Sequence, residues 1–491
     1  MINDDQIKFK MMTVGCPVNQ AETEALKNSF KQKGIVEINE ADHKGADIYV
    51  INSCAVTQAA ARKSRKKAKK AKKENSNGVV ALMGCYGEIL PQEVKEKAPE
   101  IDLIIGTRGR NELVEKTLKI FAIKKSQGAG VQIKMSNDED KARDAGNANE
   151  DFEELGINYE FKRQRPVVKI QEGCNQSCSF CIVTIARGKP KSRNPEKVIE
   201  EVKSLASKGH KEIVLAGTNM GLYGLDLKEG YKIDLSELLF KLSNLKDYEF
   251  RIRLSSLEPV AINEDILYIM KEQDRICKHL YLPLQSGSDK ILNLMERNYT
   301  IEDYELVVKK ARKLMPDVSI ITDVIVGFPG ELESDHKKSM EMIKSMEIDK
   351  LHVFPYSSRP KTRAKNFPGQ VRPDIKDQRV SEMKELGKSL CLNFHRKQVG
   401  KTLEVLVERY YRPENKNGSF GEYNSDIVER FVEGEGFSNN YAHVEVGLPE
   451  KFIPTSVKEV EDYRLGVINE FFKVKATHAT PDKIIGELVF D

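Results

Sequence analysis

The chain of 491 residues carries 79 Lys and Arg against 75 Asp and Glu, a formal net charge of +4, and is 40% hydrophobic. That balance excludes a protein that coats nucleic acid by bulk charge and an acidic disordered chain, and the length suggests about three domains. No apolar run approaches the roughly 18 residues of a membrane span, and Met1-Ile2-Asn3-Asp4-Asp5 lacks the features of a signal peptide, so a soluble cytoplasmic protein is expected.

Residues 6–122 alternate short apolar runs, Phe9–Val14, Ile48–Ile51 and Val79–Met83, with helical stretches such as Glu22–Lys33 and Gln58–Lys73. Runs of that kind suit buried parallel strands, and the alternation predicts a doubly wound α/β domain. Cys16, Cys54 and Cys85 each lie just past the carboxyl end of one run. Parallel strands open those ends on one edge of the sheet, where such folds bind ligands, so the three are predicted to converge. Taken singly, each would pass for a buried structural thiol. Arg62–Lys73 holds nine basic residues in twelve and no acid. Charge runs are commonly solvated faces, but nine positives without counter-charge repel one another, and nucleic-acid phosphates relieve that.

Residues 123–160 break the pattern. Ser126-Gln127-Gly128-Ala129-Gly130 has loop composition, and Asn137–Glu154 holds eight acidic and two basic residues. A flexible acidic linker is expected. Residues 161–396 then repeat a β-α unit, with candidate strands Val167–Gln171, Glu212–Ala216, Arg251–Ser255, Leu280–Leu284, Ile320–Val326 and Leu351–Phe354. Asn194 before Pro195 and Glu196, and Thr300 before Asp303, are helix-start signals. Six units predict a partial (β/α)6 barrel with its chemistry in the loops after the strands, closed by a helix at Lys376–Lys397. In residues 397–491, Leu403, Val405 and Val407 alternate, as do Ala442, Val444 and Val446, with the turn Asn415-Lys416-Asn417-Gly418 between them. That is the pattern of a small antiparallel OB-like β-barrel.

Eight cysteines in this length are too sparse for a disulfide scaffold. Three are packed as Cys174-x3-Cys178-x2-Cys181, directly after the first barrel strand, and the next His is His210. Three thiolates at this spacing can hold three irons of a cubane cluster and leave the fourth open, whereas a structural zinc site is closed by four ligands. A zinc knuckle completed by a distant residue is the alternative. Cys277 and Cys391 lack partners at ligand spacing and read as structural thiols.

This loop, with Phe180 before its last cysteine, resembles the radical S-adenosylmethionine superfamily. There the fourth iron chelates S-adenosylmethionine and an electron from the cluster releases a 5′-deoxyadenosyl radical, chemistry beyond side-chain acids and bases. Gly15-Cys16-Pro17-Val18-Asn19-Gln20, Asn52-Ser53-Cys54-Ala55-Val56-Thr57 and Met83-Gly84-Cys85-Tyr86 resemble the methylthiotransferase family within it. So do Glu172-Gly173-Cys174, Ala186-Arg187-Gly188, Ala216-Gly217-Thr218-Asn219-Met220-Gly221, Gln285-Ser286-Gly287-Ser288 and Gly327-Phe328-Pro329-Gly330-Glu331.

The resemblance implies two 4Fe–4S clusters, a radical cluster on Cys174, Cys178 and Cys181 and a second on Cys16, Cys54 and Cys85. It places Phe180 against the adenine of S-adenosylmethionine and Gly217, Thr218 and Asn219 at the methionyl amine. Ser255 and Gln285 are its candidates for the ribose and carboxylate. It implies a methylthio group added to C-2 of a modified adenosine beside the anticodon of tRNA, with two S-adenosylmethionine molecules consumed. The last domain takes the place of an RNA-binding TRAM domain, with Lys401, Arg409, Tyr410 and Tyr411 as candidate contacts. An electron donor of flavodoxin or ferredoxin type and a sulfur donor are also implied.

Arg251-Ile252-Arg253-Leu254-Ser255-Ser256-Leu257-Glu258-Pro259 and Leu351-His352-Val353-Phe354-Pro355-Tyr356-Ser357-Ser358-Arg359-Pro360 resemble the branch acting on threonylcarbamoyladenosine in tRNA. The branches for isopentenyladenosine and for a ribosomal protein aspartate carry other words there. Pro17 where that branch has Lys, Lys361 where it has Gly, and Thr184-Ile185 where Pro-Tyr is common are departures. From another class, the alternative is an RNA-binding scaffold with structural zinc.

Overall fold

The computed structural model describes residues 6–38, 45–127, 135–136, 151–156, 164–228, 230, 233–411, 431–449 and 466–490. Residues 137–150 of the acidic stretch and the turn Asn415-Lys416-Asn417-Gly418 lie outside the described residues.

Six parallel strands form the first sheet, in the order Val36–Glu37, Lys8–Thr13, Ile48–Ser53, Val79–Gly84, Leu103–Ile104, Met135–Ser136. Ile48–Ser53 and Val79–Gly84 are buried at every position because helices cover both faces. On one face Leu26 and Phe30 of helix Pro17–Gln32 and Ile120 of helix Leu113–Gln127 pack on Phe9, Ile48 and Val50. On the other, helix Gln58–Glu74 lies close through the small residues Ala61, Ser64, Ala68 and Ala71, which keeps its long basic side chains turned outward. Thr57 starts that helix by accepting the Ala60 N–H at 3.1 Å. Strand order reverses between Lys8–Thr13 and Ile48–Ser53, the position at which open α/β sheets bind ligands. Cys16 and Cys54 flank it.

The middle of the chain is a half-barrel of two parallel three-stranded sheets. One holds Val167–Lys169, Glu212–Ala216 and Arg251–Leu254, the other His279–Tyr281, Ser319–Val326 and Lys350–Pro355. A bridge from Ile252 to Ile276 joins them. The six expected units are present, with two differences. The fourth strand ends at Tyr281 rather than Leu284, since Pro283 has no N–H to donate. The first strand ends at Lys169, and Gln171–Glu172 instead pairs antiparallel with Lys191–Ser192. That pairing clamps the two ends of the cysteine loop. Thr300 and Asp303 exchange hydrogen bonds of 3.2 and 2.8 Å as a capping box, and Asn194 accepts the Lys197 N–H at 3.2 Å.

The last strands close a five-stranded barrel in the order Thr402–Tyr411, Phe431–Ser438, His443–Pro449, Ile484–Leu488, Gly466–Ala479. Leu403, Val405, Val407, Ala442, Val444 and Val446 fill it, as their alternation predicts. Its turn at Ser438–Ala442 enters the lower end of the half-barrel. Arg251 donates to Phe437 O at 2.7 Å, and Arg253 to Ser438 O at 3.0 Å and Asn439 O at 3.1 Å. Buried Glu212 holds both guanidinium groups, at 2.6 and 2.5 Å, and the Tyr441 ring stacks 4.7 Å from Arg253. No described helix is long and apolar enough to cross a membrane.

Candidate active site

Thr13 pairs with Asn52, and Ser53 with Gly84, so the loops carrying Cys16, Cys54 and Cys85 leave the sheet at one level. The Asn19 amide ties two of them together, donating to Val14 O at 3.1 Å and Ser53 O at 3.0 Å. Gly84 has φ +93°, and a Cβ there would lie 2.7 Å from both Asn52 Oδ1 and Ser53 O, so glycine lets the third loop close in. Cys54 and Cys85 are buried and Cys16 is exposed. Burial pushes the Cys54 thiol up to about 12, and the neighbouring Cys85 and Cys16 add to it. Burial also raises Cys85, against the Arg187 guanidinium beside it. The three loops that carry these cysteines thus leave the same edge of the sheet.

The second cysteine loop starts at Gly173, with φ +78°, where a Cβ would meet Lys189 O at 2.0 Å. The Gln171 amide donates to Glu172 O at 3.0 Å and Gly173 O at 2.8 Å, and its oxygen accepts the Asn219 N–H at 2.8 Å. Thr218 Oγ1 accepts the Gly173 N–H at 3.2 Å. Asn219 Nδ2 lies 3.7 Å from Cys174 Sγ, while its Oδ1 is buried with no partner. Backbone N–H groups two residues on reach Cys54, Cys174 and Cys181, each at 3.4 Å. Arg297 donates to Cys178 Sγ at 3.1 Å and pairs with Glu258. Burial raises the Cys178 thiol against that guanidinium and pushes Cys181 up to about 12.

These donors fit iron–sulfur clusters. Each set is three thiols, sulfurs receive N–H donors of the kind that tune such clusters, and a buried unpartnered amide oxygen stands beside Cys174. Among the described residues no group of three or more His, Cys, Asp or Glu side chains is gathered closely enough to hold one metal ion. Thiols held neutral by burial release protons as a metal arrives.

Phe180 packs edge-on to Phe328, with ring centroids 6.2 Å apart, beside Ile325 on the inner face of the fifth barrel strand. Below them, on that same inner face, Tyr281 OH donates to Asp323 Oδ1 at 2.5 Å and lies 2.9 Å from His352 Nδ1. Their alternate neighbours Leu280, Ile320, Val324 and Val353 pack outward in the main core. Gln285 sits at the rim with φ +67°, a left-handed conformation held by hydrogen bonds to Asp323 O and from Ile325 N, both 2.8 Å. The Ser255 hydroxyl lies 3.8 Å from the Met220 sulfur.

A buried charge cluster joins the two cysteine loops. Arg187 Nη1 lies 2.7 Å from Glu22 and 2.6 Å from Glu172, and its Nη2 donates to Asn19 Oδ1 at 2.9 Å. Lys169 lies 2.9 Å from Glu22 and 2.5 Å from Glu172. Arg110 pairs with Glu22, with Glu172 at 3.0 Å and with Glu153 at 2.8 Å. Burial alone would raise both inner carboxyls, but the three cations hold Glu22 and Glu172 well below the usual carboxylate range. The end of the acidic stretch is therefore anchored rather than free, with Glu153 on Arg110 and Glu154 on Arg193 at 3.0 Å. Sequence reasoning missed Glu22, Arg110, Lys169, Arg297, Tyr281, Asp323 and the buried Arg359. Burial in basic–acidic clusters leaves no periodic signal, although Glu172, Arg187 and Arg359 stand inside quoted motifs.

Residues 168–343 match the Radical SAM superfamily, and residues 8–106 match the uncharacterized protein family UPF0004. The chain is 39% identical to the threonylcarbamoyladenosine tRNA methylthiotransferase MtaB of Aquifex aeolicus, over 82% of this chain and 93% of that one. It is 35% identical to the protein of the same name from Bacillus subtilis, over 86% and 89%. With the tRNA-2-methylthio-N(6)-dimethylallyladenosine synthase of Thermoanaerobacter sp. it shares 34% identity over 89% and 90%. A solved structure, the radical S-adenosylmethionine methyltransferase TsrM from Kitasatospora setae with cobalamin and a [4Fe-4S] cluster bound, matches at TM-score 0.52 and 12% identity, over 73% of this chain and 74% of that one, a likeness of fold alone.

Proposed function

The chain belongs to the radical S-adenosylmethionine methylthiotransferases, and we propose that it acts in the cytoplasm on C-2 of threonylcarbamoyladenosine beside the anticodon of tRNA. The observation that carries the choice of nucleoside is the polar group Tyr281, Asp323 and His352 inside the half-barrel, below Phe180. A hydrocarbon isopentenyl substituent would strip water from these groups without replacing it, at about 1–3 kcal/mol per unsatisfied group. A threonylcarbamoyl substituent brings a hydroxyl, an amide-like N–H and a carboxylate that can pair with them. The relative from Thermoanaerobacter keeps isopentenyladenosine as the second reading.

When bound, the clusters and S-adenosylmethionine supply the methylthio group and the radical chemistry that opens a C–H bond. We assign Cys174, Cys178 and Cys181 to the radical cluster and Cys16, Cys54 and Cys85 to the second, in units at 6–122 and 161–396 joined by 123–160. Asn219 Oδ1, with Gly217 and Thr218, is placed to accept the methionyl amine, which would satisfy that buried oxygen. Phe180 offers its face to adenine, and Ser255 and Gln285 stand at the rim for ribose and carboxylate. Arg187 bonds to Asn19, Glu22 and Glu172 together, and so fixes the separation of the two sites, on which transfer depends.

Arg62, Lys63, Lys66, Lys69 and Lys73 are exposed on one helix without an ion-pair partner among the described residues, which supports phosphate contact there. The barrel at 397–491 is the second RNA surface, with Lys401, Arg409, Tyr410 and Tyr411. Exposed Cys16 leaves its site open to a sulfur donor, and a flavodoxin or ferredoxin would supply electrons. Iron and sulfide analysis of anaerobically reconstituted protein tests the two-cluster reading: two clusters are expected, and one would refute it. Replacing Cys16, Cys54 and Cys85 by Ala should abolish methylthiolation while 5′-deoxyadenosine still forms.

A further inference from the structure

Arg359 is 4% exposed, yet its Nε and Nη2 are buried without a hydrogen-bond partner. A guanidinium is charged at any working pH, and burying one unmatched is costly. The groups that face it are Glu93, Cys54, Tyr86 and Arg65. Glu93 is the strongest charge to act on it, but its Oε1 accepts from Arg65 at 3.2 Å and from Tyr86 OH at 3.1 Å, and it gives Arg359 Nε and Nη2 no hydrogen bond. The other group beside Arg359 is the Cys54 thiol.

The segment carrying Arg359 touches both cysteine loops. Ser357 Oγ accepts the Gln58 N–H at 3.3 Å, just after Cys54. Farther on, Arg363 donates to Ser177 O, and the Ala364 N–H reaches Ser179 O at 2.9 Å, inside the second loop. Lys361, between them, adopts φ +68°, a left-handed conformation that turns the chain from one loop to the other. Arg359 thus lies on the segment that links the two sites, with Nε and Nη2 buried and unpaired.

We propose that Arg359 binds the sulfur that this enzyme transfers, as a hydrosulfide-class anion at the Cys16–Cys54–Cys85 site. The proposal rests on the reading of those cysteines as cluster ligands. It makes Arg359 a positioning residue: two forked N–H donors hold a soft anion at one orientation, while the cysteines hold the metal.

The test uses full-length protein with Cys174, Cys178 and Cys181 replaced by Ala, so that one cluster gives the signal. Sodium sulfide is titrated anaerobically and its binding followed by the electron paramagnetic resonance of the reduced cluster. Arg359→Met should keep its iron and its absorbance, with half-saturation shifted up by about tenfold or more, and Arg359→Lys should recover part of the shift. Equal half-saturation in the parent protein and Arg359→Met would overturn the proposal. Unchanged sulfide binding with weakened tRNA binding would do so too, and would assign Arg359 to a phosphate. Should Arg359→Met lose iron, the comparison is read in Arg359→Lys, where an unchanged titration overturns the proposal. Loss of iron from both, in folded protein, would make Arg359 a cluster-assembly residue and overturn it as well. A parent protein without iron would overturn the cluster reading beneath it.

Discussion

Replacing Glu22 by Gln keeps the shape of the side chain and removes one charge from a cluster of three cations. Glu22 is fully buried, and Arg110, Lys169 and Arg187 all meet it. Glu172 and Glu153 remain, so three cations would share two carboxylates, and Glu153 is the more exposed of the two, at 19%. Removing one partner of a buried ion pair costs about 3–5 kcal/mol, and the amide oxygen of Gln still accepts a hydrogen bond, so the lower figure applies. About 3 kcal/mol at 1.4 kcal/mol per tenfold is roughly a hundredfold in local opening. Hydrogen exchange of the full-length apoprotein, read by mass spectrometry, should show that acceleration in Pro17–Gln32 and in the segment from Val167 to Arg187. The barrel beginning at Thr402 should be unaffected. Adding Arg187→Met restores the balance of charge, so the double variant should be less destabilised than the sum of the singles by about 2 kcal/mol. Unchanged exchange, or strict additivity, would refute a charge cluster that locks the two loops.

Four further outcomes follow from the same geometry. Tyr441→Ala removes a ring packed on Arg253 and Arg165 and should free the C-terminal barrel, seen as faster proteolysis between the half-barrel and residues 397–491, at a cost of about 3 kcal/mol. Burial pushes the Asp349 carboxyl up to about 6, above its unfolded value of roughly 4, so this group opposes folding above pH 6 and the opposition is relieved as pH falls toward 4. The Tm of the parent protein should therefore gain on that of Asp349→Asn between pH 7.5 and pH 5, and a constant difference would contradict the assignment. Lys361→Gly should stabilise the chain by about 1 kcal/mol in urea denaturation, because the left-handed backbone there strains a side chain. Replacing Lys63, Lys66 and Lys69 by Ala should weaken tRNA binding and flatten its salt dependence by up to about 0.9 in log–log slope per lost phosphate contact.

Much of the site was legible because the relevant rules are local or topological. The loops of Cys16, Cys54 and Cys85 could be placed at one edge from sequence since parallel strands have only one carboxyl edge. The loop from Cys174 to Cys181 carries its spacing on its face. What stayed hidden depends on partners remote in the chain. Arg251 and Arg253 read as strand residues of a family word, yet they grip the turn of another domain some way off. Glu22 and Arg110 look like ordinary helix-surface charges until they meet over Glu172. Periodicity reports which face is apolar and is silent about which buried charges will pair. The departure at Lys361 gained its meaning only with its backbone angle, which shows why glycine suits that position. Composition alone makes the acidic stretch a flexible linker, yet Glu153 and Glu154 near its end are held by Arg110 and Arg193.

The most direct test of the whole account is a competition. Purified, anaerobically reconstituted enzyme is given equal amounts of tRNA bearing threonylcarbamoyladenosine and tRNA bearing isopentenyladenosine, with S-adenosylmethionine, sulfide and a reductant, and the nucleosides are resolved by mass spectrometry. The 2-methylthio derivative of threonylcarbamoyladenosine should form first and in excess, and His352→Ala should erase that preference. Methylthiolation confined to isopentenyladenosine, or none on either tRNA from enzyme holding both clusters, would contradict it.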